Sequence, residues 1–304
     1  MANDFISPST VAKTGLATLY NSTVLLPLVW RDFDPDFEGE QGNIVAVRKP
    51  AVFTAEEFNR SSGITVQNAD EDSVNIELDT VADVSFAVTS EELTLEVDDF
   101  AERLLNPAME AISQKIDGDL AEALVDAAEG VGGGGTVTMS SVASDVFTGQ
   151  LGARAKVSGA KLPLSDRFAV FGAAGAGVAL QDTLFVQADK SGSTDTLREG
   201  SLGRVFGFDT YESQVFGYGP GDRGQADGVA FHRQAVALAS RALATPMGVA
   251  PNQVAVESYK GITLRVVYGY SQTYKQDVVS VDCLYGIDAL RAAGAVQLNL
   301  GIGS

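Results

Sequence analysis

The sequence predicts an α+β protein in which a long β-hairpin and a long helix precede a compact mixed domain. Two runs rich in β-branched residues, 43–53 and 73–89, flank a polar, turn-rich segment, a pattern typical of a hairpin. Apolar residues then recur in steps of three, four or a multiple of four from Phe100 to Leu124, which predicts one face of a helix. A glycine run at 130–135 follows, and beyond it short helical and strand-like stretches alternate.

The composition is that of a globular protein with a large negative charge. Hydrophobic residues make up 45% of the 304 residues and charged residues 20%, so a sizeable core can form. The 21 basic and 40 acidic side chains give a net charge of −19. Nucleic acid and anionic membranes should therefore repel the chain, although acidity also serves plain solubility.

The sequence lacks the marks of export and of membrane insertion. Cys283 is the only cysteine, which excludes an intrachain disulfide framework, and we expect it to be a small buried apolar residue. The N-terminus has neither the basic start nor the long apolar core of a secretory signal. The apolar run Val24–Trp30 is interrupted by Pro27 and is too short to cross a bilayer. We therefore expect a soluble protein that is made in a cytoplasm.

The sequence predicts that two segments do not bury a sufficient apolar face of their own. Residues 1–36 mix polar residues with one apolar cluster and the only tryptophan, and we expect them to be an arm that lies on another surface. The predicted hairpin carries few large apolar side chains on either face, so alone it would be marginally stable. We expect the hairpin to reach out to another surface as well.

The long helix has start and stop signals. The spacing of a capping box occurs twice before it, at 89–92 and at 99–102. We predict that the helix runs to about Glu129 with a kink at Pro107. The run Gly130–Gly135 would stop the helix and provide a hinge.

The rest of the chain carries shorter patterns, with no convincing internal repeat. We predict helices at 141–157 and 173–186, a strand at 167–172, a strand running into a helix at 229–243, and two strands around a polar bend at 262–291. This alternation completes the α+β assignment.

The stretch REGSLGRVFGFDTYES (Arg198–Ser213) invites comparison with a phosphate-binding loop, because it holds three glycines and two arginines. Such a loop opens onto the N-terminus of a helix, whose free N–H groups bind the anion. After Gly207 the residues alternate with period two, and no Lys-Ser or Lys-Thr follows. We therefore predict a turn that leads into a strand.

The chain offers little that could serve catalysis. His232 is the only histidine, which excludes a multi-histidine metal site, and no Gly-x-Ser-x-Gly elbow accompanies it. Fragments of the penicillin-recognising pattern occur at Ser158–Lys161, Ser165–Arg167 and Lys13–Gly15. Their order and spacing are wrong, and the second lacks its asparagine. We interpret the fragments as chance and predict a structural role for His232.

The acidic run Asp32–Glu38 invites comparison with a calcium loop. An EF-hand loop needs a bidentate glutamate at its twelfth position. Starting the loop at Asp32 places Asn43 there, and starting it at Asp34 places Val45. Both registers fail, so we predict a solvated turn, with adventitious cation binding between subunits as the alternative. We predict no catalytic, cofactor or metal site in the chain.

The order of these parts resembles the major capsid proteins of tailed bacteriophages, which share the Hong Kong 97-type fold. The stretch LREGSLGRVFGFDTYES (197–213) resembles a turn-and-strand segment of actinobacterial phage capsid proteins, in which a glycine, Gly-Phe-Asp and Glu-Ser recur. The segments 229–243 and 274–291 are similar to two others of the same group. The likeness covers nearly the whole chain. None of these segments is a catalytic motif, and a single segment would not identify the family. The resemblance rests on the order of the segments along the chain.

The resemblance implies the domain organisation of that fold. It implies an N-terminal arm over residues 1–36, an extended hairpin called the E-loop with its flanking strands over 37–88, and a peripheral (P) domain with a long spine helix over 89–130. It further implies an axial (A) domain over 131–255, and return strands to the P domain over 256–304.

The resemblance also implies the function. It implies a non-enzymatic capsid protein that assembles as pentamers and hexamers into an icosahedral head shell, which encloses double-stranded DNA without reading its sequence. Portal and scaffolding proteins would be partners, and the protein would reside in the virion after synthesis in the bacterial cytoplasm, with no membrane contact. The hairpin would lie over one neighbouring copy and the arm beneath another, and both would gain burial only on assembly. The glycine hinge would let the A domain tilt between ring types.

The resemblance is incomplete at one position. Some members of the fold weld their shells through an isopeptide bond between an E-loop lysine and an asparagine. Lys49 is the only lysine of the hairpin region, and it lies at the end of the first strand rather than in the polar tip. Other interpretations stay open: an encapsulin-like nanocompartment shell, an unrecognised hydrolase that uses Ser158 or His232, and a binding module such as an adhesin.

Overall fold

A computed structural model describes most of the chain. The described residues are 8–31, 44–48, 53, 55, 57–58, 60, 73–89, 104–139, 143–180, 203–216, 227–246, 249–250, 253–259, 261–271 and 276–300. The helices are α1 (Pro8–Ser22), α2 (Asn106–Glu129), α3 (Ala143–Gly159) and α4 (Ala173–Ala179), with short 3-10 turns at Leu26–Leu28 and Ala292–Gly294. The strands are β1 (Ile44–Arg48), β2 (Ser73–Glu77), β3 (Thr80–Thr89), β4 (Thr136–Met139), β5 (Arg167–Phe171), β6 (Arg204–Val205), β7 (Phe208–Glu212), β8 (Gly228–His232), β9 (Val236–Arg241), β10 (Val254–Tyr259), β11 (Ile262–Ser271), β12 (Gln276–Ala289) and β13 (Ala295–Leu300). The α+β prediction is confirmed.

Two sheets organise the described part of the chain. The first sheet is antiparallel and has the order β10-β11-β12-β3. Its long strand β12 pairs with β3 over residues 276–285 and with β9 over residues 284–289. The second sheet has the order β4-β13-β8-β5-β7-β6 and contains two parallel pairs, β13 with β4 and β5 with β7. The predicted strands of 262–291 and 167–172 are thereby confirmed.

Helix α2 joins the two sheets through one continuous core. Its predicted apolar face is confirmed, because Ile112, Ile116, Leu120 and Leu124 are all buried. These side chains belong to one cluster with buried residues of the first sheet, such as Leu264, and of the second, such as Phe231. The predicted helix at 141–157 is also confirmed as α3, which packs on the second sheet.

The start of α2 is described only in part. The α-helix is assigned from Asn106 with Pro107 in its first turn, and Leu104 and Leu105 just before it are π-helical. Because residues 90–103 lie outside the described residues, the predicted kink at Pro107 stays a prediction. Proline is well placed in a first turn, where its missing N–H has no intrahelical partner to lose. Leu104 precedes the helix and is exposed rather than part of the buried face. The capping-box spacings fall largely in 90–103, outside the described residues.

The N-terminal segment is part of the subunit's own core. Helix α1 packs on α2, β10 and β11 and buries Val11, Leu16 and Leu19. Trp30 extends this contact, since it forms a parallel bridge with Ala237 in β9. The expectation of an arm on another surface is therefore wrong for residues 8–31. The buried residues Val11, Ala12, Leu16 and Leu19 are spaced for one face of a helix, a signal that the expectation of an arm did not use.

The hairpin prediction is confirmed at its base. Strands β1 and β2 pair antiparallel, with Ile44 opposite Glu77. The run 73–89 is not one strand, because it breaks at Leu78–Asp79 and β3 continues in the first sheet. One face of the β1–β2 ribbon is buried against β9 and Leu290, so the base of the hairpin does have an apolar lining within its own subunit. Most of 49–72 lies outside the described residues.

The glycine run ends α2 as predicted, and its backbone lies close to neighbouring segments; the predicted hinge stays a prediction. The Gly134 N–H donates to Ala295 O at 3.0 Å, and the Gly135 N–H donates to Ala128 O at 2.8 Å. A Cβ on Gly133 would lie 2.3 Å from the Ala127 carbonyl oxygen, and one on Gly134 would lie 2.3 Å from that of Ala295. Glycine is needed here for the close approach of one backbone to another.

The prediction for 229–243 is wrong in its second half. The segment forms β8 in the second sheet and β9 in the first, joined by a short turn, instead of a strand running into a helix. Both strands are almost wholly buried. A strand buried on both faces shows a continuous apolar run, which periodicity cannot distinguish from a buried helix. The small-residue helix at 173–186 is confirmed as α4 over 173–179, and the rest of it lies outside the described residues.

Candidate assembly surfaces

The glycine-rich stretch is a turn between two strands. Phe206 and Gly207 have φ of 49° and 86°, as in the two-residue turns that join hairpin strands, and they connect β6 to β7. The turn is held from the side by the Arg154 guanidinium, whose Nη1 donates to Phe206 O at 2.8 Å. No helix N-terminus follows, so the predicted turn and strand are confirmed, and the chain here has no phosphate-loop geometry.

The only histidine lies inside the molecule. His232 is 3% exposed and pairs in register with Arg167 across β8 and β5. Its Nδ1 accepts a hydrogen bond from the Gln234 N–H at 3.1 Å. Burial is the main cause that lowers the His232 pKa, so the imidazole is neutral at neutral pH.

Two of the three penicillin-pattern fragments form one structural turn. Arg167 is 2% exposed and lies within this turn. Its Nη1 donates to Ser158 Oγ at 2.9 Å, its Nε to Pro163 O at 2.8 Å and its Nη2 to Leu162 O at 2.9 Å. A cation that donates to a serine hydroxyl does not activate it as a nucleophile. The third fragment lies on α1, where Lys13 pairs with Glu257 at 3.7 Å.

Cys283 is buried, as predicted. Desolvation raises the pKa of its thiol to about 11, so the thiolate is scarce and the residue is unreactive. The acidic run Asp32–Glu38 and Lys49 lie outside the described residues. Among the described residues, no group of three or more acidic, histidine or cysteine side chains is arranged to hold a metal. None of the described helices combines the length and hydropathy needed to cross a membrane.

A groove of about 390 Å³ lies between α2 and the start of β3, and its lining is acidic. Asp79, Glu122 and Asp126 line it, together with Asp119. Asp119 is bound by Lys115 Nζ at 2.5 Å and also accepts a hydrogen bond from the Tyr285 hydroxyl at 2.6 Å. These contacts tie α2 to β12. The acidic surface would repel a polyanion.

Among the described residues, the most exposed aromatic side chains are Phe53 and Phe58, which follow β1 in the hairpin segment. Phe53 is 61% exposed and Phe58 is 63% exposed. The sequence analysis did not identify these two residues. Phe53 ends the apolar stretch PAVF (50–53), and Phe58 follows two glutamates in EEF (56–58). Large aromatic side chains are enriched in the cores of protein–protein interfaces. These two residues are therefore candidate contacts to another molecule.

The fold matches solved structures, whereas no protein-family model and no curated protein sequence matches the chain. A structure from Mycobacterium phage Che8 aligns with a TM-score of 0.64 and 22% identity, over 91% of each chain. The capsid structure of the cyanophage P-SCSP1u aligns with a TM-score of 0.66 and 14% identity, over 91% of this chain and 88% of that one. A virus-like particle from Pyrococcus furiosus aligns with a TM-score of 0.56 and 11% identity, over 95% of this chain and 97% of that one. These matches show the fold.

Proposed function

We propose that this chain, which has the Hong Kong 97-type fold of tailed-phage capsid proteins, is a major capsid protein that assembles as pentamers and hexamers into a head shell around double-stranded DNA. The observation that carries the proposal is the match of about nine tenths of the chain to about nine tenths of a phage capsid chain. A match of this length extends well beyond a single compact part of the chain.

The domain assignments follow the two sheets. We infer that the P domain comprises α1, α2 and the first sheet, and that the A domain comprises α3, α4 and the second sheet. This refines the boundaries expected from the sequence: β9 lies in the first sheet although it precedes residue 256, and β13 pairs in the second sheet although it follows that residue. The N-terminal arm is not proposed for residues 8–31, because these belong to the subunit's own core.

Assembly of rings needs two different surfaces of one subunit to be complementary, because ring contacts are heterologous. The distal hairpin supplies one such surface, since Phe53 and Phe58 are mostly exposed and extend from a base that is anchored by β9 and Leu290. A rigid base with exposed aromatic side chains beyond it is suited to contact a neighbouring copy. Portal and scaffolding proteins would then act on the assembled rings.

The nanocompartment and hydrolase alternatives gain no specific support. Similar solved structures carry the names of phages and phage capsids, and none of these names a nanocompartment or a hydrolase. Ser158 and His232 are engaged in structural contacts.

Negative-stain microscopy and sedimentation velocity of the purified protein test the proposal. We expect shells or ring-shaped capsomers from the wild type. The double variant Phe53→Ser/Phe58→Ser should need at least about 30-fold more protein to assemble, since each hot-spot aromatic contributes on the order of 1–2 kcal/mol. Tyr211→Ser is the matched control, because Tyr211 is also an exposed aromatic but lies on β7. Isolated globules at every concentration of the wild type would contradict the proposal.

A further inference from the structure

The exposed side of α3 carries apolar and basic side chains. Positions 151, 154, 155 and 158 have the i, i+3, i+4 and i+7 spacing of one helix face, and the turn after α3 continues this surface. We call it the α3 face and define it by six exposed residues: Leu151, Arg154, Ala155, Ser158, Lys161 and Leu164. Leu151 is 46% exposed and Leu164 is 64% exposed. Two large apolar side chains therefore lie in solvent beside two cations.

The α3 face is held in place by the subunit itself. Arg167 donates from Nη1 to Ser158 Oγ at 2.9 Å and from Nε to Pro163 O at 2.8 Å, which fixes the turn to the end of the helix. The Lys161 N–H donates to Ser158 O at 3.0 Å. A partner that binds this surface would have little backbone to order, and this lowers the entropic cost of association.

The charge of the α3 face indicates the chemistry of its partner. The whole chain has 40 acidic and 21 basic side chains, yet the six residues of the α3 face include two cations and no carboxylate. Exposed leucines beside charged groups are typical of an interface with an apolar core and a polar rim. Charge complementarity favours an acidic partner, and a second copy of this acidic chain is one.

The groove between α2 and the start of β3 has the matching properties. It is concave, with a volume of about 390 Å³. Three carboxylates and two apolar side chains are part of its lining: Asp79, Glu122, Asp126, Ala123 and Ile287. Lys115 is the only basic side chain among the described lining residues, and it is bound to Asp119. The groove thus offers negative charge around an apolar surface.

The α3 face and the groove cannot meet within one subunit. Helix α3 packs on one face of the second sheet, in a cluster with Ala169 and Ala230. Helix α2 packs on the opposite face, in a cluster with Val170 and Val229. The second sheet therefore separates the two helices, and the exposed side of α3 is turned away from α2.

We propose that the α3 face of one copy docks on the acidic groove of a neighbouring copy. Arg154 and Lys161 would lie against the carboxylates of the groove, and an exposed leucine would cover its apolar part. The two surfaces differ, so the contact is heterologous and can close a ring. This inference rests on the proposed shell function and names a contact between copies that does not involve the hairpin.

Charge reversal on both sides tests the contact with purified protein free of nucleic acid. Lys161→Glu alone and Asp126→Lys alone should each raise the protein concentration needed for assembly about tenfold, because each brings like charges together. The double variant Lys161→Glu/Asp126→Lys should assemble at about the wild-type concentration. The matched control is Lys161→Glu/Glu110→Lys, which has the same net charge. Glu110 is exposed on α2 but does not line the groove, so this variant should stay impaired.

Urea unfolding of each variant as a monomer verifies that the fold is intact. Wild-type assembly of both single variants would overturn the inference while leaving the shell function intact. Equal behaviour of the two double variants would do the same, whether both recover or both fail. If Lys161→Glu assembled normally but lost binding to added double-stranded DNA, the α3 face would serve nucleic acid instead, which also overturns the inference. A wild type that forms no particles would remove the proposed function and the inference together.

Crosslinking gives a second readout that does not depend on charge. Leu164→Cys combined with Asp126→Cys should give covalent multimers when assembled particles are treated with a short homobifunctional maleimide. The native Cys283 is buried with a raised thiol pKa, so it will not react. Leu164→Cys with Glu110→Cys is the control and should give monomer-sized bands. Particles that form without a 126–164 crosslink between chains would contradict the proposal, and so would covalent dimers of Leu164→Cys alone.

Discussion

Asp117 shows how a single residue fixes the N-terminal segment to the long helix. The side chain is 4% exposed, and its carboxylate accepts the N–H groups of Val24 at 2.7 Å and Leu25 at 3.2 Å. These donors precede the 3-10 turn Leu26–Leu28, so Asp117 caps it from a different element. Burial raises the Asp117 pKa to about 6, although the backbone donors act in the opposite direction.

The raised pKa of Asp117 predicts how stability depends on pH. Because the folded pKa lies above its ordinary value of 3.8, the folded state binds the proton more tightly than the unfolded chain does. The ionised carboxylate therefore destabilises the fold above pH 6, and this cost, on the order of 3 kcal/mol, disappears as the pH falls from 6 toward 3.8. Urea unfolding at pH 7.5 and pH 5 should show a gain at pH 5 that Asp117→Asn lacks. An equal gain in both proteins would refute this role.

The hydrogen bonds of Arg167 predict that its replacement lowers the stability of the fold. Its three donating nitrogens satisfy two carbonyl oxygens and one hydroxyl within a single turn, a geometry that the planar guanidinium provides and an ammonium cannot. We expect Arg167→Lys to lower the free energy of unfolding by about 2 kcal/mol. Arg154→Lys, at an exposed position with one carbonyl contact, is the control and should change it little. Chemical denaturation measures both.

At the scale of elements, the connection after α2 predicts how a glycine substitution changes the stability of the fold. Gly134→Ala would place a Cβ 2.3 Å from Ala295 O and 2.6 Å from Val296 Cγ2, so the backbone must shift. We expect a loss of about 2–4 kcal/mol or a failure to fold. Gly118→Ala is the control, because nothing lies within 4 Å of its Cβ position in α2; it should stabilise by about 0.5–1 kcal/mol. Thermal unfolding distinguishes the two.

The same contacts decide where the subunit can bend. The chain passes between the sheets at 130–135, 233–235 and 290–294, and these crossings are bonded to one another: Gly134 N–H donates to Ala295 O, and Leu290 N–H donates to Ala235 O at 2.9 Å. Together with the shared core along α2, they join the two sheets firmly. A tilt at the glycine run would have to break these bonds.

At the scale of the whole molecule, we expect the hairpin tip to be needed for assembly but not for folding of the subunit. Deleting 59–72 leaves β1 and β2, whose buried face is lined by the subunit itself. We expect a folded monomer with native circular dichroism that forms no particles by sedimentation velocity or microscopy. A shortened loop of Gly and Ser between residues 58 and 73 keeps the chain connected. Normal shells from this variant would show that the hairpin tip is dispensable.

The sequence by itself determined the elements that have a clear period: the buried face of α2, the hairpin base, the strands around residues 262–291 and the turn at Phe206–Gly207. It also determined the order of parts, from which the fold could be inferred. The helical spacing of Val11, Leu16 and Leu19 was present in the sequence, but it does not show that the face packs on the subunit itself. Strand β9 was missed because both of its faces are buried, which removes the period-two pattern of a strand.

Only the tertiary structure decided which surfaces are covered. Residues 8–31 are bound to the core by Asp117 and by β9. The glycine run needs its glycines because the carbonyl oxygens of Ala127, Ala128 and Ala295 lie against it. Each of these depends on contacts between residues far apart in the chain, and burial at such contacts is a property of the packed whole rather than of any local run of residues.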